Sequence, residues 1–215
     1  MLNTIEREIK QTRDLIGLDG LSDAVREALR RTPRERFVPD GLKTLAYADQ
    51  PLPIGNGQTI SQPYIVAIMT QLLDPRPEHR VLEVGTGSGY QTAVLGRLAG
   101  EVYSVEVIEA LAREAAKRLA ALGLDNVRTR VADGHIGWPE AAPFDRIMVT
   151  AAAPAVPEAL IEQLRPGGRL IAPLGDGLGQ VLTRIDKGED GQLTEHALLP
   201  VMFVPLTHGP AGERD

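Results

Sequence analysis

The sequence predicts an α/β protein built on a doubly wound, mostly parallel sheet, and three observations carry that expectation. From about residue 81, apolar strand-like runs alternate with helical patterns; a glycine-rich turn, EVGTGSGY, follows the first of those runs; and a carboxylate stands at or beside the end of each of the first three. Strands alternating with helices imply parallel pairing with helices on both faces. In such a sheet, ligands sit beyond the carboxyl ends of the strands, where the strand order reverses.

The elements follow in order. Ile5, Ile9, Thr12 and Ile16 form one stripe at helical spacing, and a second helix is expected from Ser22 to Arg31, stopped by Pro33. Between Phe37 and Pro63 the prolines Pro39, Pro51 and Pro53 and the glycines Gly41, Gly55 and Gly57 argue for irregular or short-stranded chain, long enough to suggest function. Then come a strand at VLEV, a helix over 90–98, a strand at VYSVEV and a helix over 108–122 ending at Gly123. VRTRVA, RIMVT and GRLIAPL read as the third, fourth and fifth strands, with a helix over 157–164 before the last, and QVLTRI and ALLPVMFVPL as antiparallel edge strands. The expected organisation is one domain: an extension over 1–62, a ligand-binding core over 63–185, and C-terminal strands and tail over 186–215.

A chain of 215 residues, 43% of them hydrophobic, can bury a core without staples, and the lack of cysteine excludes disulfides, thiolate nucleophiles and cysteine metal sites. The charged N-terminus predicts no secretory signal, and no apolar run reaches the roughly 18 residues of a membrane span, so a cytoplasmic protein without a membrane partner is expected. A net charge of −6 speaks against nucleic acid as partner. The densest basic stretch, RRTPRER at 30–36, reads as a solvated helix end. His79, His135, His196 and His208 lack metal-ligand spacing, so no metal is expected, and His135 is set apart only by following Asp133 and Gly134. Trp138 and Phe144 read as core.

Gly85, Gly87 and Gly89 permit a tight turn and close approach of backbone to ligand. Glu106 closes the second strand, where a carboxylate can accept both hydroxyls of an adenosine ribose. A nicotinamide dinucleotide and S-adenosylmethionine both fit these features. The G-x-G-x-G spacing with Glu83 before it favours a sulfonium and an ammonium over a pyrophosphate; the alternative is that Glu83 caps the turn's own amides. Asp133, with Gly134 after the third strand, can accept from an adenine amino group or form an Asx turn or helix cap. Ser61, within GQTISQPYIVAIMT, can be the N-cap of a helix whose first turn holds Pro63.

Nearly the whole chain resembles the protein-L-isoaspartate (D-aspartate) O-methyltransferases, through TPRERFVP, YADQPLPIGNGQTISQPYIVAIMT, VLEVGTGSGYQTAVLG, DGHIGWPEAAPFDRIMVTAAAPAVP, LRPGGRLIAPLG and FVPL. The resemblance implies a Rossmann-like S-adenosylmethionine-dependent methyltransferase fold. It implies methyl esterification of L-isoaspartyl residues in damaged proteins and peptides, with D-aspartyl sites left open, and a monomer is expected. It makes Ser61 the active-site serine, with Thr59, Ile60, Glu83, Gly85, Gly87, Gly89, Glu106, Asp133, Gly134 and Gln180 around the cofactor. Ala48 and Met202 depart from the family's usual residues. A methyltransferase acting on a specialised peptide, a small molecule or RNA shares the same core and is the competing expectation; a passive adenosyl-ligand binder and a nicotinamide oxidoreductase are the others.

Overall fold

The computed structural model describes residues 1–177 and 179–209. Helix α1 (Leu2–Ile16) buries Ile5, Ile9 and Ile16, while Thr12 on the same stripe meets the Tyr64 hydroxyl at 2.6 Å. Helix α2 (Asp23–Arg30) starts where Ser22 accepts the Val25 amide at 3.3 Å. The proline- and glycine-rich stretch resolves into two 3₁₀ turns, Arg34–Phe37 and Asp40–Leu45, and a hairpin of β1 (Leu52–Gly55) and β2 (Gln58–Ile60). Helix α3 (Pro63–Leu73) follows at once.

The core then runs β3 (Arg80–Val84), α4 (Tyr90–Gly96), β4 (Glu101–Glu106), α5 (Glu109–Ala120), β5 (Val127–Val131), β6 (Phe144–Val149), α6 (Glu158–Gln163), β7 (Leu164–Leu174), β8 (Gln180–Lys187) and β9 (Leu193–Val201). The seven-stranded sheet has the order β5-β4-β3-β6-β7-β8-β9, parallel through β7 and antiparallel over the last two. Because neighbours along a strand point to opposite faces, Val81, Val102 and Met148 enter one core, shared with α1 to α5. Leu82, Tyr103 and Ile147 enter the other, under α6 and the Trp138 turn. Trp138 and Phe144 pack edge-on against Tyr103, as core residues. Strand order reverses at β3, between β4 and β6, so the carboxyl ends of those three strands form the crevice where this fold holds ligands.

Two elements differ from expectation. Leu164 opens β7 opposite Phe144 instead of ending a helix, and Pro166 keeps Arg165 after it in extended backbone. The closing run is not one strand: β9 ends at Val201, and the next residues cross the carboxyl end of the sheet. There Ala152 donates to the Val204 carbonyl at 2.8 Å and Leu206 donates to the Ala152 carbonyl at 2.7 Å. Residues 210–215 of the expected tail lie outside the described residues, and no described helix is long and apolar enough to cross a membrane.

Candidate active site

Beyond the carboxyl ends of β3, β4 and β6 lies a cleft whose empty space, open solvent included, is about 780 Å³. Thr59, Ile60 and Ser61 form one wall, Gly85 and Gly87 the floor, and Glu106 and Ile108 the far side. Gly134 and the crossing segment Val204–Thr207 close the rim.

The glycine turn fits its place by steric necessity. Gly85 has φ +98°, and a Cβ there would stand 2.4 Å from Thr150 Oγ1. Gly134 is squeezed between Val84 and Leu206, at 2.5 and 3.0 Å from the Cβ it lacks. Glu106 is buried at the end of β4, and each carboxylate oxygen accepts one backbone amide, Gly87 N at 2.7 Å and Ile108 N at 3.0 Å. An ionised carboxylate offers about four acceptor positions. Glu106 therefore keeps accepting capacity toward the cavity, and this acceptor fits the ribose hydroxyls of an adenosyl cofactor.

Four residues expected around the cofactor do not line the cleft. Glu83 is wholly buried beneath the turn, its Oε2 accepting from Thr92 at 2.5 Å and Ser104 at 2.6 Å. Burial pushes its carboxyl up to about 8, against those hydroxyls, so at neutral pH it is predominantly a neutral acid. It knits β3, α4 and β4 together through Oε2, and its buried Oε1 has no partner among the described residues. Gly89 caps α4 at φ +88°, with the position of its missing Cβ 3.2 Å from Ala115 Cβ, so it serves close packing of α4 on α5. Asp133 forms the Asx turn, its Oδ1 accepting from His135 N at 2.8 Å while Oδ2 accepts from Gly209 N at 3.0 Å. Burial alone would raise its carboxyl, but those amides and the His135 ring hold it down to about 2. Gln180 clasps Phe203, accepting its amide at 2.6 Å and donating to its carbonyl at 3.1 Å. It thereby positions the segment that lines the rim without reaching the cavity.

Ser61 does not cap α3. The N-cap is Gln62, which provides no side-chain bond, and the Tyr64 amide in the first turn is capped instead by Asp49 Oδ1 at 2.9 Å. Among the described residues the Ser61 hydroxyl makes no hydrogen bond, and Ser61 lines the cleft. Its carbonyl is fixed by Arg34, which donates from Nη2 at 2.7 Å and from Nε to the Ala46 carbonyl at 2.8 Å. Arg34 is fully buried with its guanidinium over the Tyr90 ring, so the basic stretch is not wholly a solvated helix end. Burial pulls it down to about 10, which leaves it cationic at neutral pH. Arg34, Asp49 and Val204–Thr207 are not residues that the sequence singles out, although Arg34, Asp49 and Val204–Leu206 lie within the family-like TPRERFVP, YADQPLP and FVPL stretches.

The profile of the protein-L-isoaspartate(D-aspartate) O-methyltransferase family matches residues 12–211. The protein-L-isoaspartate O-methyltransferase 2 of Nitrosococcus oceani is 55% identical over 207 residues, covering 96% of this chain and 94% of the relative. The protein-L-isoaspartate O-methyltransferase of Anaeromyxobacter dehalogenans is 57% identical over 198 residues, covering 91% and 95%. Among solved structures, a Plasmodium falciparum chain assigned as a protein-L-isoaspartate O-methyltransferase, in complex with S-adenosyl-L-homocysteine, superposes with TM-score 0.79 at 25% identity, covering 96% of this chain and 98% of that one.

Proposed function

The chain belongs to the protein-L-isoaspartate (D-aspartate) O-methyltransferase family, and from that premise we propose the part each residue of the cleft plays. The reaction is methyl esterification of the L-isoaspartyl carboxylate in damaged proteins, dependent on S-adenosylmethionine, which opens their repair. When bound, S-adenosylmethionine supplies an electrophilic methyl group on a sulfonium. Gly85 and Gly87 would let the backbone approach it, Glu106 would accept the ribose hydroxyls, Gly134 and Ile108 would hold the adenine, and Thr59 and Ile60 would border the methyl group.

The incoming carboxylate, with a reference pKa of ~4, is ionised at neutral pH, so no residue has to remove a proton. What the chain must supply is position, worth on the order of 7–11 kcal/mol when reacting atoms are held in line. Ser61 fills that role. Its hydroxyl donates to one carboxylate oxygen and leaves the other to react, without the quenching a lysine would impose. Ile60, Val66 and Val204 on the walls exclude water from a reaction whose charges cancel. The observation that carries this reading is the free Ser61 hydroxyl on the cleft wall, released from capping duty by Asp49. We also propose a cytoplasmic monomer that acts on peptides as well as proteins and takes no nucleic acid, in keeping with the net charge of −6 and the lack of cysteine.

Transfer of labelled methyl to matched peptides tests the assignment. Base-labile label on the isoaspartyl peptide and none on the aspartyl one is the expected result. Label on neither, or equally on both, would refute it.

A further inference from the structure

Three side chains far apart in sequence converge at the outer edge of the rim. Asp133, in the turn after β5, faces His135 Nδ1 at 2.8 Å through Oδ1 and His208 Nδ1 at 3.4 Å through Oδ2. One ligand atom from each residue lies within 4.8 Å of the other two, and the two imidazoles stack with centroids 3.6 Å apart.

Neighbouring donors around a tetrahedral ion with bonds of ~2.0–2.1 Å stand roughly 3.3 Å apart. The Oδ2–His208 Nδ1 separation, 3.4 Å, is close to that spacing, while Oδ1 and His135 Nδ1, at 2.8 Å, share a hydrogen bond whose proton an ion would displace. The carboxylate is also oriented from behind, as ligating carboxylates are: the His135 amide fixes Oδ1 and the Gly209 amide fixes Oδ2. With the His135 ring proton displaced, each oxygen keeps a lone pair beyond its amide bond. Asp133 and His135 are mostly buried, whereas the His208 side chain is 79% exposed, free to turn off the His135 ring until both nitrogens point at one ion. Two imidazoles and one carboxylate suit zinc, cobalt, nickel or copper better than magnesium or calcium.

We propose that Asp133, His135 and His208 form a site for a divalent transition-metal ion, which ties the closing segment to the turn after β5. Leu206 and Thr207 immediately precede His208 and line the cleft, so the bound ion restrains that wall. The site goes beyond the methyl-transfer reading and does not depend on it.

Cobalt(II), titrated into the purified chain and followed by its visible ligand-field absorption, is the probe. Saturable binding of one ion per chain, displaced by zinc, is expected. His208→Ala and His135→Ala should each weaken it by more than the roughly 10- to 100-fold that loss of an outer-shell partner costs. His196→Ala should leave it unchanged, since that ring stands apart, 3.6 Å from Asp186. His208 is exposed, so its variant keeps the fold, and equal melting of variant and parent in chelator verifies this. Absence of saturable binding at micromolar cobalt, or binding that survives His208→Ala, overturns the proposal.

Discussion

The two halves of the cleft are built by different means. On the side of β3 and β4 the site is local: a glycine turn at a strand end, and Glu106 at the next strand end holding that turn through the Gly87 amide at 2.7 Å. On the side of Ser61 it is tertiary. Arg34 reaches the Ser61 carbonyl across 27 residues of sequence, and Asp49 reaches the Tyr64 amide across 15. One half takes its shape from backbone conformation, the other from side chains that replace backbone partners. The two should therefore fail separately, the first losing cofactor and the second losing turnover.

The harshest trial of that separation is Arg34→Met. It strips the partner from the buried Ala46 carbonyl and the part-buried Ser61 carbonyl, the former worth about 1–3 kcal/mol when left unsatisfied. For a chain of this size the melting temperature should fall on the order of 10 °C. Turnover should fall further than binding of S-adenosylhomocysteine, and Arg34→Lys should recover part of the stability but little of the turnover, because an ammonium cannot span both carbonyls. Calorimetric affinity that falls in step with turnover would mean that the halves are one unit.

Glu106→Ala probes the other side. It removes the acceptor proposed for the ribose together with the anchor of the Gly87 amide. Hydrogen bonds to charged groups contribute about 1.5–3 kcal/mol, so affinity for S-adenosylhomocysteine should drop roughly 100-fold while the fold persists. Ser61→Ala should act more mildly, and on turnover instead of cofactor affinity. Turnover on the isoaspartyl peptide should fall roughly 10- to 100-fold, the loss of one hydrogen bond to a charged group, with cofactor affinity unchanged. Full turnover in Ser61→Ala would remove the hydroxyl from the mechanism.

The same contrast explains what could be read from sequence. The alternation of strands and helices, the glycine turn and Glu106 are written in neighbouring residues, so period and spacing disclose them. Glu83 was visible as a position, but its burial under Thr92 and Ser104, which makes it a neutral tie, depends on three elements meeting. Arg34 looked like one more solvated base because nothing nearby announces carbonyls at Ala46 and Ser61. Asp49 hid Ser61's freedom: local capping rules assign the hydroxyl to α3, and only the folded chain supplies the acid that replaces it. Gln180 reads as a pocket residue until the closing segment is seen to cross the sheet beside it.

The smallest effect tests how far the tertiary half depends on charge. Gln62, next to Ser61, donates to Asp49 Oδ2 at 2.7 Å and lies 3.5 Å from Glu8 Oε2 on α1, so two carboxyls share one amide group. Burial first, then the hydrogen bond and repulsion from Asp49, raise Glu8 from 4.5 to about 7. A carboxyl raised on folding binds more protons in the folded than in the unfolded chain between those values, so stability falls as pH rises through that window. The contribution is complete below about 4.5 and gone above about 7. Glu8→Gln keeps the shape of the protonated acid and cannot ionise. Its melting temperature relative to the parent should therefore be higher at pH 8 than at pH 5, with the change centred between those values. A difference that stays flat with pH would show that the acid pair beneath Ser61 is not coupled to the fold. The substrate half would then rest on Arg34 and the Asp49 cap alone.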